Sequence, residues 1–424
     1  MSEQPSALPA AGVLSVSSGQ RHRPTPAQIA AQPLWKRILR AVEERREWLE
    51  QVQIELTRIP APTFHEAKRA AAVAGYFRSL GLARVRTDEA GNVLAERPGA
   101  SPRAVVITAH LDTATPVGAP VEVRRCNGRI CAPGISDNGA GLAALLGTAA
   151  VLQQCGVATE LSLLFAANVG EEGEGDLYGM RHLLSHGDVR HRAEAMLVLD
   201  GSSVEHVTVA GLGSRRFRIE VAGPGGHSWK DFGRVNPIHA LANVIAALGR
   251  IPLSCEPRST LNVGMIQGGV AVNAIPSTAW MKVDIRSARR EEIERLSKAM
   301  EAAVRAGVES ENRRAEGGLE YRIHLIGERP AAELALPSHL LEAVRAADEY
   351  LGIRSRLERS STDANIPLSL GMDAVALGGG GVGGEVHTPR EWYDPQGREL
   401  GLKRILLAAL AMAGITDAAA NAGC

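Results

Sequence analysis

Residues 104–112 read AVVITAHLD, an unbroken apolar and β-branched run that ends on a histidine and an aspartate. A run without polar alternation is a strand buried on both faces, as in a parallel sheet covered by helices. LSLLFAA at 161–167 and AMLVL at 195–199 have the same character. Between the first two, Gly139 to Cys155 reads as a helix of small and apolar residues. Strands alternating with helices predict an α/β domain with a central mixed sheet. Ligands of such sheets collect beyond the C-terminal ends of the strands.

Outward from this core, Trp35, Ile38, Leu39, Val42, Leu49, Val52 and Leu56 recur at helical spacing, and a second helix is expected from His65 to Leu80. Val85 to Arg97 reads as a strand pair around the turn Ala90-Gly91-Asn92. The pattern changes near Gly211. Strands at 215–222, 259–267, 278–286 and 319–326 and helices at 236–250 and 290–308 give the order βαββαβ. This predicts an inserted α+β domain over 211–327, splitting the main domain into 33–210 and 328–416. Residues 1–32 read as a disordered tail and 417–424 as a frayed end.

Composition excludes several classes of function. Lys+Arg and Asp+Glu both number 47, so no global field draws the chain to nucleic acid or an anionic membrane. Aromatic residues are 4%, too few for a base-stacking surface. No apolar run is long enough to span a bilayer, and the N-terminus lacks the pattern of a signal peptide. Five scattered cysteines without a CxxC pair fit a reducing, cytoplasmic setting better than a disulfide framework. No phosphate loop or serine-hydrolase elbow occurs.

Five polar clusters follow the buried strands or lie in glycine-rich loops. They are His110-Leu111-Asp112, Ser136-Asp137-Asn138-Gly139, Gly170-Glu171-Glu172-Gly173, Asp200-Gly201 and Gly384-Glu385-Val386-His387. Imidazoles with carboxylates suit Zn²⁺, Mn²⁺ or Co²⁺ better than Ca²⁺. Two histidines and three or four carboxylates are enough for two metals that share a bridging carboxylate. Adjacent Glu171 and Glu172 point in different directions, so one can ligate while the other serves as a base beside a bound water.

With these segments the sequence resembles the M20 metallopeptidase family, which includes tripeptidases, carboxypeptidases, aminoacylases and desuccinylases. His110-Leu111-Asp112, Asp137-Asn138-Gly139-Ala140-Gly141 and Gly170-Glu171-Glu172-Gly173 match its HxD, DxGxG and EE segments. The resemblance covers about Leu49 to Ala413. It implies two divalent ions, zinc foremost with Co²⁺ or Mn²⁺ as alternatives. Asp137 would bridge them, His110 and Asp200 would complete one site, and Glu172 and His387 the other. Glu171 would be the general base, and Asp112 would orient the His110 ring.

Gly225-Gly226-His227-Ser228 in the insert resembles the family's GGHS segment, which implies a homodimer whose partner supplies His227 to the reacting oxygen. Asn273 and Arg286 resemble substrate-binding positions; for Arg286 the alternative is a salt bridge with Asp284 or Glu292. The sequence departs from the family in two places. Pro116 comes four residues after Asp112 rather than three, and Ser360-Ser361-Thr362-Asp363 lacks the usual glycine pair. Together with the glycine-rich run 378–384, expected to approach a substrate closely, this stretch bears on specificity. The implied activity is hydrolysis of amide bonds in small peptides. The alternatives are a deacylase or carboxypeptidase acting on N-acyl amino acids, and an inactive binding protein on the same fold.

Overall fold

A computed structural model describes residues 23–416. Strands 83–87, 93–97, 161–168, 101–110, 193–199, 374–377, 206–211 and 332–333 lie side by side in one sheet, with 356–360 paired to 206–211. The central pairs, 101–110 with 161–168 and with 193–199, are parallel. The outer hairpin 83–97 and strand 206–211 run antiparallel to their neighbours in the ordered path, so the sheet is mixed. All eight residues of Leu161–Asn168 are buried, as an unalternating strand requires when helices cover both faces.

On one face pack Pro33–Glu44, Gly139–Gln154, His339–Leu351 and Arg398–Ala413, around Trp35, Leu145, Ile107 and Ile405. The other face carries Tyr178–Ser185 and Asn365–Ser369 over Val106, Leu164 and Met196. The helix expected over 35–56 is two, Pro33–Glu44 and Arg46–Arg58, broken at Arg45.

The inserted α+β unit runs from strand Gly213–Ala222 to strand Glu320–Arg329. Its four antiparallel strands lie in the order 259–268, 278–287, 213–222, 320–329. Helices Pro237–Leu248 and Arg290–Arg314 cover one face and close a separate core around Ile219, Val244, Met281 and Met300.

The tail expected over 1–32 needs correcting at its C-terminal end. Pro26–Ala30 is a helix, started by a capping box in which Thr25 and Gln28 satisfy each other's backbone N–H. Ile29 is fully buried against the main core. A Pro/Gln/Ala-rich composition hides this because one apolar anchor and one cap are enough to dock a single turn. Residues 1–22 and the expected frayed end 417–424 lie outside the described residues.

The last helix is fastened by a buried ion pair. Arg404, wholly buried, donates from Nη2 to Asp348 Oδ2 at 2.9 Å and from Nη1 to the Val204 carbonyl at 3.1 Å. Removing one partner leaves a buried charge uncompensated. Asp348→Ala is expected to cost about 3–5 kcal/mol in chemical denaturation. Asp348→Ala/Arg404→Leu together should cost clearly less than the two single changes summed.

Candidate active site

The sheet register builds the site. His110 is paired with Asn168 and Ala109 with Leu199, so three parallel strands end level. His110 is the last residue of its strand, Asp200 follows the end of the second, and Glu171 and Glu172 lie just beyond the third. The helix at 139–154 begins beside them, capped by Asn138, whose Oδ1 accepts from Gly141 N and Gly201 N while Nδ2 donates to the Leu199 carbonyl. One buried side chain thus ties the Asp137 loop to the Asp200 loop.

Asp137 stands between two imidazoles. Its Oδ1 is 3.0 Å from His110 Nε2 and its Oδ2 is 3.2 Å from His387 Nε2. Asp200 Oδ1 lies 3.9 Å from His110 Nε2, and Glu172 Oε1 lies 2.8 Å from His387 Nε2. Two sets of donor atoms result, each within 4.8 Å: His110, Asp137 and Asp200; and Asp137, Glu172 and His387. The five residues come from parts of the chain up to 277 positions apart, from His110 to His387.

The donor set fits a pair of divalent cations. Three carboxylates face two imidazoles, a charge excess that is costly near the interior without cations. Glu172 Oε1 is buried and makes no hydrogen bond, although the His387 ring nitrogen is close. Burial opposes a charge on His110, but Asp112, Asp137 and Asp200 outweigh it and hold its pKa well above the usual value. Asp137 and Glu172 push His387 up to about 10. Both rings therefore sit where a cation is strongly favoured.

Asp112 does more than the expected support of His110. Its main-chain carbonyl is 3.1 Å from His110 Nδ1, closer than its carboxylate at 3.5 Å. The carboxylate instead accepts from Glu171 N at 2.9 Å, Glu172 N at 2.8 Å and the Thr63 hydroxyl at 2.9 Å. It aims the whole Glu-Glu segment.

Glu171 belongs to neither donor set. It is buried, and burial pushes its pKa well above the carboxylate range, against the pull of Arg329. Arg329 Nη1 donates to Glu171 Oε1 at 2.8 Å and to Ser361 Oγ at 3.1 Å, and Nη2 donates to the Glu171 carbonyl. Arg329 closes the strand that returns from the inserted unit, so it joins that unit to Glu171.

Arg329 and Glu391 escape a motif search, whereas Asp363 ends the family-like stretch Ser360-Ser361-Thr362-Asp363. Arg329 follows no motif. Buried Asp363 accepts from Asn168 Nδ2 at 2.6 Å, and burial pushes its pKa up to about 7. Glu391 accepts from the backbone N–H of Gly134, Ser136 and Asp137 at 2.7, 2.8 and 2.9 Å. Its only sequence signal is its place four residues after His387.

The glycine run 378–384 lines the cavity beside Asp137 and Asp200 through Gly378 and Gly383, and it also serves packing within the chain. A Cβ on Gly378 would meet the Ser203 carbonyl at 2.2 Å, and one on Gly383 would meet Ser136 Oγ at 2.0 Å. These glycines let the His387 loop pack directly on the loops that carry Asp137 and Asp200.

His227 and Asn273 lie together, and neither belongs to the two donor sets. The short strand Gly226–His227 pairs with Ala274–Ile275, and Ser228 N donates to the Asn273 carbonyl at 3.0 Å. Both side chains are exposed. Arg286 donates from Nε to Asp284 Oδ2 at 2.7 Å, so the salt bridge read as its alternative forms.

Two family models match parts of the chain. Residues 92–212 match the model of peptidase family M28, and residues 210–311 match the M20 peptidase dimerisation domain. These matches support an M20 family metallopeptidase. A probable carboxypeptidase of Aspergillus clavatus is 31% identical over 55% of this chain. That match spans only 56% of the fungal protein's length. A succinyl-diaminopimelate desuccinylase of Corynebacterium glutamicum is 26% identical over 77% of this chain and 86% of its own. A tripeptidase of Staphylococcus aureus shares the fold, with a TM-score of 0.70 at 22% identity over 87% of this chain and 98% of its own.

The Glu391 clamp gives a test of the M20 site's construction. Glu391→Ala leaves three buried N–H groups without an acceptor and loosens the Asp137 loop. Its affinity for Zn²⁺, read by competition with a chromogenic chelator, should fall by about 10–100-fold. An unchanged affinity would show that the loop holds Asp137 without the clamp.

Proposed function

We propose that the chain is a metal-dependent hydrolase of amide bonds in small peptides. One observation carries this reading: Asp137 lies between two imidazoles, each met by a further carboxylate, with buried Glu171 beside them and outside both sets. His110, Asp137 and Asp200 would hold one ion and Asp137, Glu172 and His387 the other. Zinc suits this mixed N/O set, with Co²⁺ and Mn²⁺ as alternatives. Two such ions supply Lewis acidity, acidifying a water and polarising the amide carbonyl.

Glu171 accepts the proton of the attacking water and passes it to the leaving amine nitrogen. Its burial suits this, since a raised pKa favours holding the proton between the two steps. Arg329 keeps the carboxylate in one orientation. Asp112 fixes the backbone on both sides of the peptide that joins Glu171 to Glu172.

His227, with Asn273 beside it, is assigned to the active site of a partner subunit, where it stabilises the negative oxygen of the tetrahedral intermediate. The match to a dimerisation domain supports this. So does the surface around His227, where Trp229, Phe232, Val270 and Val272 are each at least 86% exposed. Contiguous apolar exposure of this kind marks an association surface. Strand 259–268 is an edge of its sheet and offers free backbone groups to a second copy.

A second reading, a deacylase or carboxypeptidase acting on N-acyl amino acids, draws on the names of the Aspergillus and Corynebacterium relatives. A cytoplasmic setting accords with the free Cys126, Cys131, Cys155 and Cys255. Among the described residues no helix is long and apolar enough to cross a membrane.

Three measurements test the proposal. Elemental analysis of gently purified protein should approach two metal ions per chain, and full activity with one would remove the bridging role of Asp137. Glu171→Gln should keep its metal and fold yet lose about 10²–10⁴-fold in kcat on a tripeptide or N-acyl amino acid. Mixing His227→Ala chains with Glu171→Gln chains should restore up to about a quarter of wild-type activity, since each mixed dimer holds one intact site. If labelled chains exchange and no activity returns, His227 does not act across the dimer.

A further inference from the structure

A cavity of about 300 Å³ opens beside the donor sets, bordered by Asp137 and His387. Small-molecule sites run from about 300 to 1,000 Å³, so this one suits a single branched or aromatic group. Each part of its wall adjoins a donor residue. Thr113 to Pro120 continues from the strand that ends at His110, Pro133 and Gly134 lead to Asp137, and Thr388 and Pro389 follow His387. The cavity is therefore fixed in place relative to the reacting groups. Pro116, Pro120, Pro133 and Pro389 restrict its backbone, so little freedom is lost when something binds.

The charged groups at this cavity are already engaged. Asp137 faces its two imidazoles, and Glu391 accepts from three backbone N–H groups. Among the described residues no lysine, arginine or further acid borders it. Ala114, Pro116, Pro120 and Pro389 are exposed, so apolar surface stands open to water next to the donor sets. Covering it with an apolar group is favourable, whereas a charged group would lose its hydration and gain no partner.

The other side of Asp137 is chemically unlike this one. There Asp137 shares a cavity of about 210 Å³ with Asp200, walled by Ser202, Ser203 and Thr362 and by the His206–Glu358 pair at 3.1 Å. An amide laid across Asp137 thus has its two ends in different surroundings. The proton held by Glu171 has to reach the leaving nitrogen, so the amine half lies on Glu171's side. Glu171 does not border the apolar cavity. Its partner Arg329 also bonds Ser361, which stands between Ser360 and Thr362 of the polar wall. The apolar cavity is left for the acyl half.

We propose that this cavity selects the acyl half of the substrate, and that the preferred amide carries a bulky, uncharged, apolar group beside its carbonyl. In a short peptide that group is the side chain of a residue such as leucine. In an N-acyl amino acid it is a branched acyl chain. The substrate part of this proposal rests on the reading of the chain as an amide hydrolase. The apolar site itself does not.

Two arms of one experiment separate them, using the metal-loaded protein and the variant Ala119→Phe, which fills the cavity. Metal content is the folding control, and Ala114→Phe on the same wall is a second variant. In the first arm, kcat/KM is compared for Leu-Gly-Gly with Ala-Gly-Gly and for N-(4-methylpentanoyl)-Gly with N-acetyl-Gly. Wild type should favour the bulkier acyl group by about 10–100-fold in at least one pair, and which pair tells a peptide from an N-acyl substrate. The ratio should fall to about one in the variants. A wild-type ratio near one in both pairs, or one unmoved by either variant, would overturn the assignment. So would an equal preference for Lys-Gly-Gly, or a preference that follows the amine half, Gly-Leu over Gly-Ala. In the second arm, calorimetric titration with 4-methylpentanoate and with acetate probes the cavity without hydrolysis. The larger acid should bind wild type about tenfold tighter or more, an advantage lost in the variants. Equal affinities would overturn the site. A cavity-dependent advantage without hydrolysis of any amide would leave the site standing and sink the hydrolase reading instead.

Discussion

Asp137 has to present its two oxygens in opposite directions, to His110 on one side and His387 on the other. Neither imidazole is near it in sequence, so the loop that carries it must be fixed by other means. Glu391 does this by accepting hydrogen bonds from the backbone N–H groups of Gly134, Ser136 and Asp137. Asn138 does it from the side by bonding the start of one helix and the end of one strand at once. The glycine run then brings the His387 loop down with no side chains in the way. These contacts place a carboxylate to about the tolerance that a shared ligand requires.

The acidity gathered here needs more than two imidazoles to balance it. Asp112, Glu171 and Asp363 are buried beside the three carboxylates of the donor sets. Two buried arginines answer them. Arg329 holds Glu171, and Arg69 donates to the main-chain carbonyls of Ile59 and Leu111 next to Asp112 and Glu66. Burial pulls Arg69 down to about 10, and the two neighbouring carboxylates resist that shift. Buried charges of this kind contribute little net stability, since desolvation offsets their attraction. Their effect is to leave the acidic groups one arrangement and no other.

The residues that line the proposed metal sites were legible because each lies where a change of pattern marks it. A polar residue directly after an unbroken apolar strand is conspicuous, as His110 and Asp200 are. The alternation of strand 278–287, buried at every second residue, likewise gave away the inserted unit. What stayed hidden lacks periodicity. Strands such as 124–126 and 129–131 are too short and exposed to show a period. Glu391 and Arg329 are charged residues in polar surroundings of the sequence, and only the fold makes them buried. The glycine run was visible, but composition alone could not say whether its free space was meant for a ligand or for the chain itself.

The two cores explain why the proposed site divides its duties. The main sheet, with helices on both faces, can hold donor atoms at fixed positions. The inserted unit has its own core and joins the main domain at Gly211–Gly213 and Arg329–Ala331, and it also touches it where Arg216 donates to the Gly173 carbonyl, Lys282 pairs with Glu174 and Glu328 N donates to Asp176 Oδ2 at 2.9 Å. A group needed only once charge develops on the substrate is well placed on such a unit, since it then need not perturb the resting site. His227 is on its exposed tip and Arg286 on the sheet surface nearest the junction. Arg329 lies at the junction itself and bonds Glu171. Together with Arg329, the contacts of Arg216, Lys282 and Glu328 with residues 173–176 hold the inserted unit against the segment that follows Glu171 and Glu172.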